Sequence, residues 1–261
     1  MTHLPEKAAC FKLPIRYFRF YPADFPHGET LDTVLIDPRQ TALLLVDVYH
    51  AAEKPQAKDL VNTTWERAFW ETVDKSLVPL ISSARELGLP VIYLSNSSPR
   101  IAIKESPFGE RLINSLGFDP TVDFRENEVD PMEFDAGDPI QLYIPPQIKP
   151  RPGDYFIRKH TYSGFFDTRL DTLLRNLGIR TIISAGFALY VCVLFTLADA
   201  VFRGYHAILA RDATLAAELP AEVDDFTHTK RTITWIESFL TPTTTTEEFC
   251  TAVRNFHCQE T

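Results

Sequence analysis

The eighteen residues from Thr181 to Ala198, TIISAGFALYVCVLFTLA, carry no formal charge. That is long enough to raise a membrane span as one reading. Three residues argue against it: Gly186 lies near the centre, and Ser184 and Thr196 are polar. The two halves also differ in kind. Thr181–Phe187 is a short, β-branched run that follows Gly178, the pattern of a buried strand. From Tyr190 the apolar residues take up helical spacing through YVCVLFTLADAVFRGY, residues 190–205. The stretch is therefore expected to be a strand, a tight turn and the start of a helix, with Cys192 where the turn meets the helix.

The same alternation recurs outward along the chain. TALLLVDVY (41–49), LPVIYLSN (89–96), DYFIRK (154–159) and YHAILARDAT (205–214) read as further strands. Helical spacing appears in residues 65–88, 106–117, 167–178 and 224–240, the first of these ending on Gly88. Strands alternating with helices predict an α/β fold: a three-layer α/β/α arrangement around a mainly parallel sheet, as one domain over 41–240. Residues 1–40, rich in Pro and aromatics, are expected to form an irregular arm. The acidic, Pro-rich residues 119–153 are expected to form a lid-like insertion, and 241–261 a frayed tail.

Composition narrows the partners. The chain has 261 residues, a net charge of -9, 45% hydrophobic and 23% charged residues, a balance ordinary for a globular domain. An acidic surface disfavours nucleic acid and anionic membrane as partners, since both reward dense Lys/Arg patches. The first residues show no basic segment followed by an apolar run, so nothing marks export and the expected location is cytoplasmic. Cys10, Cys192, Cys250 and Cys258 are scattered, without the pairing of a disulfide framework or a zinc site.

In open parallel sheets ligands bind beyond the carboxyl ends of the strands. The polar residues expected there are Asp47, Asn96, Lys159, Cys192 and Asp212. A thiol attacks carbonyl carbon as thiolate, and a helix start together with Lys159 is expected to favour that form. Asp47 is placed to take the thiol proton and deliver it to a leaving amine. Each residue also has a plainer reading. Cysteines in apolar runs are commonly inert core, aspartates after strands cap or turn, Asn96 in SNSS suits a turn, and Asp212 is read as structural.

These residues resemble the isochorismatase-like cysteine hydrolase superfamily from about Thr41 to Phe239. The carriers are ALLLVDVY (42–49), IRKHTYSGFFDTRLDTLLRNLGIRTIISAGFALYVCV (157–193) and GYHAILARDAT (204–214). Within it, KHTYSGFFDTRLDTLLRNLGI is most similar to the ureidoacrylate amidohydrolases. The resemblance implies an Asp47–Lys159–Cys192 triad, a thioester intermediate and an oxyanion hole from the N–H groups of Leu189 and Cys192. It also implies a cis peptide at Ala188–Leu189, and substrate contacts from Asn96 and Tyr162. Tyr49 and Tyr190 stand where relatives commonly carry Gln and Asn, so both are candidate substrate-binding residues. The two-histidine metal pattern of nicotinamidases is missing, His50 and His160 read as ordinary histidines, and neither metal nor cofactor is expected. A small amide or ureido substrate and a homodimer or homotetramer are the implied partners. Two other readings stay open: a vinyl-ether hydrolase using Asp47 and water, and a non-catalytic binding protein on the same scaffold.

Overall fold

A computed structural model describes residues 10–20, 28–50, 63–96, 107, 111, 143–219 and 221–260. The helix expected at 106–117 and most of the insertion expected at 119–153 lie outside the described residues.

Among the described residues, eight strands form one sheet. In chain order they are β1 (Phe11–Arg19), β2 (Gly28–Ile36), β3 (Thr41–Val46), β4 (Val91–Asn96), β5 (Tyr155–Lys159), β6 (Thr181–Phe187), β7 (His206–Leu215) and β8 (Thr243–Thr244). Their spatial order is β2-β1-β8-β7-β6-β3-β4-β5. The run from β8 to β5 is parallel throughout, and β1 joins β2 and β8 antiparallel. Every side chain of β3 is buried, as expected of a central strand covered on both faces.

Among the described residues, six α-helices cover the sheet: α1 (Thr63–Thr72), α2 (Val78–Glu86), α3 (Leu170–Asn176), α4 (Leu194–Phe202), α5 (Thr227–Phe239) and α6 (Thr246–Glu260). Two apolar layers separate them. Phe69, Leu77, Leu80, Phe249 and Val253 pack with Leu43, Leu45 and Tyr93 on one face. On the other, Leu170, Leu174, Leu197 and Ile236 pack with Leu44, Val46 and Ile182. The expected three-layer architecture is what forms. None of the described helices is long and apolar enough to cross a membrane, and Thr181–Phe187 is a strand in the middle of the sheet.

Both ends of the chain depart from expectation. Residues 11–19 and 28–36 make a nine-residue antiparallel hairpin rather than an irregular arm. The cause is visible in FKLPI: Phe11, Leu13 and Ile15 are buried while Lys12 and Pro14 face out, the period of a half-buried strand. Pro14 obscures this reading because its missing N–H disfavours a sheet interior. Its carbonyl instead accepts from Thr244 Oγ1 at 2.9 Å.

The tail is a fifteen-residue helix, not a frayed end. Thr245 and Glu248 cap it reciprocally, with Thr245 N–H donating to Glu248 Oε2 at 2.6 Å and Glu248 N–H to Thr245 Oγ1 at 3.1 Å. Asp212 adds an acceptor for Thr246 N–H at 2.8 Å, which is the structural role read for it. Phe249, Val253 and Phe256 form the buried stripe, and Phe11 meets both aromatic rings edge-on. The hairpin and the tail thus stabilise each other.

Phe249→Ala is therefore expected to destabilise the protein by about 3–4 kcal/mol through lost burial and the cavity left behind. Chemical denaturation followed by circular dichroism measures this. A change below about 1 kcal/mol would show that the tail does not belong to the core.

Candidate active site

Four neighbouring strands, β6, β3, β4 and β5, end side by side, and each delivers one polar residue. From β3 the chain proceeds to β4 on one side, while β6 lies on the other, the crevice where open parallel sheets place their ligands. Asp47 follows β3 directly, in a left-handed conformation with φ 49°. Its N–H donates to Leu94 O at 2.8 Å, holding the bend against β4. Asn96 and Lys159 end β4 and β5 as register partners.

Cys192 arrives by a tighter route. Gly186, with φ 119°, sits beside Val46, and a Cβ there would lie 1.9 Å from Val46 O, so a side chain is sterically barred. Thr214 Oγ1 donates to Gly186 O at 2.6 Å. A cis peptide follows at Phe187–Ala188, one residue before the Ala188–Leu189 position implied by resemblance. Phe187 is the last residue paired with β7, and Ala188 O already accepts from Val191 and Val193, so the reversal falls between them. Leu189–Val193 then form a π-helical turn leading into α4. Val191 and Val193 N–H share Ala188 O at 3.2 Å each, and Cys192 between them does not use that acceptor.

The Lys159 ammonium is fully buried at the centre. It lies 2.8 Å from Asp47 Oδ2, donates to Asn96 Oδ1 and to Thr161 O (3.2 Å), and reaches Cys192 Sγ at 3.4 Å. Asp47 Oδ1 accepts from Asn96 N–H at 3.1 Å. The Asp47 carboxylate pairs with the ammonium through Oδ2 and also lies within hydrogen-bond reach of the Cys192 thiol. The structure therefore brings together Asp47, Lys159 and Cys192, with Asn96 joined to them by two hydrogen bonds.

The electrostatics correct one expectation. Burial pushes the Cys192 thiol up to about 12; Lys159 opposes this and Asp47 adds to it. Neither the helix start nor Lys159 outweighs burial, because Cys192 is only 7% exposed and its sulfur loses the solvation an anion needs. Burial also raises the Asp47 carboxyl, against the pull of Lys159, and so makes it a better base. For Lys159, burial works against the charged form, but Asp47 and Cys192 outweigh it and hold the ammonium above its ordinary value. The resting cluster is thus carboxylate, ammonium and neutral thiol.

The aromatic candidates surround this centre. Tyr49 is half-buried, and its Oη accepts from Asn96 Nδ2 at 2.7 Å. Tyr162 packs against Phe195, with ring centroids 5.7 Å apart. Tyr190 stacks on His228 at 4.4 Å. Burial raises both Tyr162 and Tyr190 and proximity to Cys192 adds to it, placing both phenols within electrostatic reach of the sulfur. His50 proves to be a junction, its Nε2 3.0 Å from Glu66 Oε1 and its ring against Phe69 and Trp70; His160 is buried. Among the described residues no group of three His, Cys, Asp or Glu could hold a metal ion.

Two features escaped the sequence reading. Asn96 serves the cluster itself, giving its carbonyl to Lys159 and its amide to Tyr49. The Thr161 carbonyl is a fixed acceptor for the ammonium. Backbone acceptors leave no mark in residue identity, whereas the register of β4 on β5 would have paired Asn96 with Lys159.

Residues 41–247 match the isochorismatase domain family. The chain is 29% identical over 223 residues to ureidoacrylate amidohydrolase RutB of Enterobacter sp. (strain 638), covering 85% of this chain and 93% of that protein. Among solved structures, a cysteine hydrolase from Pseudomonas syringae pv. phaseolicola 1448A superposes with a TM-score of 0.62 at 24% identity, over 85% of this chain and 95% of that one. N-carbamoylsarcosine amidase from Thermoplasma acidophilum superposes with a TM-score of 0.52 at 26% identity, over 80% and 97%.

Burial pushes the Cys192 thiol up and so keeps it mainly protonated at neutral pH. Alkylation of Cys192 by iodoacetamide, followed by peptide mass spectrometry, is expected to rise about tenfold per pH unit from 7 to 10. A plateau below pH 9 would show a resting thiolate instead.

Proposed function

Because the chain belongs to the isochorismatase family of hydrolases, we propose that it is a cysteine amidohydrolase cleaving a linear C–N bond, of the ureido, carbamoyl or simple amide kind. The observation that carries this reading is the contact of one buried ammonium with both a carboxylate, at 2.8 Å, and a thiol, at 3.4 Å. Similarity to a ureidoacrylate amidohydrolase favours a ureido acid as the substrate class.

The proposed steps follow from the resting charges. Cys192 Sγ adds to the substrate carbonyl carbon as the thiol proton passes to Asp47. Proton transfer is coupled to attack because a free buried thiolate is costly. Leu189 and Cys192 N–H are the proposed donors to the resulting oxyanion, a contribution of about 3 kcal/mol when such a donor is aimed well. Collapse breaks the C–N bond, and the proton moves from Asp47 to the nitrogen, which leaves as ammonia. Water, deprotonated by Asp47, then attacks the thioester and returns the thiol. Lys159 favours the Asp47 carboxylate between proton transfers and steadies the sulfur as negative charge develops.

Tyr162 and Tyr190 are the proposed walls of the substrate site. Asn96, whose side chain is engaged by Lys159 and Tyr49, is proposed to hold the cluster in register and to offer its remaining amide hydrogen to substrate. The working form is proposed to be a homodimer or homotetramer.

Cys192→Ala and Cys192→Ser are expected to reduce ammonia release by at least about 10³-fold while circular dichroism and thermal unfolding stay near the parent. The assay covers ureido acids, carbamoyl compounds, biuret and nicotinamide. Full turnover in either variant would sink the mechanism.

A further inference from the structure

A directed chain of hydrogen bonds leads from Lys159 to Tyr49. The ammonium donates to Asn96 Oδ1, which fixes the amide so that Nδ2 faces Tyr49, and Nδ2 donates to Tyr49 Oη at 2.7 Å. Each link leaves the next group a stronger donor, because hydrogen bonds in series polarise one another. The chain ends on the phenolic O–H. Tyr49 Oη is already an acceptor, so its proton points elsewhere, and among the described residues no acceptor meets it. The phenol lies two residues after Asp47 and within electrostatic reach of both Asp47 and Cys192.

Burial, followed by the nearness of Asp47 and Cys192, raises this phenol well above its ordinary value, so it keeps its proton. It is thus a donor and not an acid. Its accepting capacity is partly used by Asn96. A buried donor left unmatched costs binding energy, so a ligand lacking an acceptor there is rejected more strongly than one bringing an acceptor is drawn in.

We propose that Tyr49 is a fixed hydrogen-bond donor to the substrate, selecting ureas and amides that carry an acceptor oxygen, a second carbonyl or a carboxylate, beside the scissile group. This rests on the amidohydrolase reading and narrows its substrate class.

The test uses N-acetylurea and N-ethylurea, which differ by the carbonyl oxygen, with ammonia release by the parent and Tyr49→Phe. The variant is expected to lower the ratio of kcat/KM for acetylurea over ethylurea by roughly 30-fold, whatever loss the two ureas share. Tyr49→Phe also removes the acceptor for Asn96, but any loosening of the cluster lowers both ureas alike; only the donor role lowers one. Parallel losses, or none, overturn the proposal. If the parent turns over neither urea, the amidohydrolase reading fails for this class, and protection of Cys192 from iodoacetamide at pH 9 decides the role of Tyr49. Acetylurea is then expected to protect the parent at roughly one tenth of the concentration needed for the variant. Equal protection, or none in the parent, overturns it.

Discussion

A single ammonium with no exposure to solvent organises this protein. Burying Lys159 is affordable only if its charge is matched and its three hydrogens are received. Asp47, Asn96 and the Thr161 carbonyl meet that demand, and Cys192 Sγ fills the remaining side. Removing one partner of such a buried pair typically costs about 3–5 kcal/mol, because the other charge is left uncompensated. The ends of four strands must therefore be aligned before the site can exist. The register of β4 on β5, the close approach of Gly186 to Val46 and the left-handed Asp47 are the local means of that alignment.

The same burial shapes the chemistry. A thiol held near 12 is protected from adventitious alkylation and oxidation, since the thiolate is the reactive form. In the proposed reaction a substrate carbonyl arrives beside the sulfur while a carboxylate with a raised affinity for protons stands ready. The arrangement keeps total charge balanced at rest, with one carboxylate, one ammonium and a neutral thiol. Aromatic side chains border the centre, and Tyr190, stacked on His228, brings α5 against the turn that carries Cys192.

Much of this was legible in residue order. TALLLV, VIYLSN, YFIRK and TIISAGF announce the central strands, and the polar residue closing or following each of them is where the cluster forms. The hairpin was legible in principle through Phe11, Leu13 and Ile15, but Pro14 and the density of aromatics concealed its period. The last helix was signalled by Thr245 and Glu248 as a cap and by Phe249, Val253 and Phe256 as a stripe, though a run of threonines preceded it. What residue order could not carry was environment. Whether Lys159 activates or merely accompanies the thiol depends on how much water remains around the sulfur, a property of packing from both layers. The position of the cis peptide likewise depends on where pairing of β6 with β7 stops.

The central claim is that Cys192 becomes covalently acylated during hydrolysis. Acid quenching during turnover of a ureido or carbamoyl substrate, followed by peptide mass spectrometry, tests it most directly. The account predicts an added mass equal to the substrate acyl group on the peptide carrying Cys192, lost on longer incubation as the thioester hydrolyses. Steady turnover with an unmodified Cys192 peptide, and undiminished activity after that thiol is removed, would contradict it.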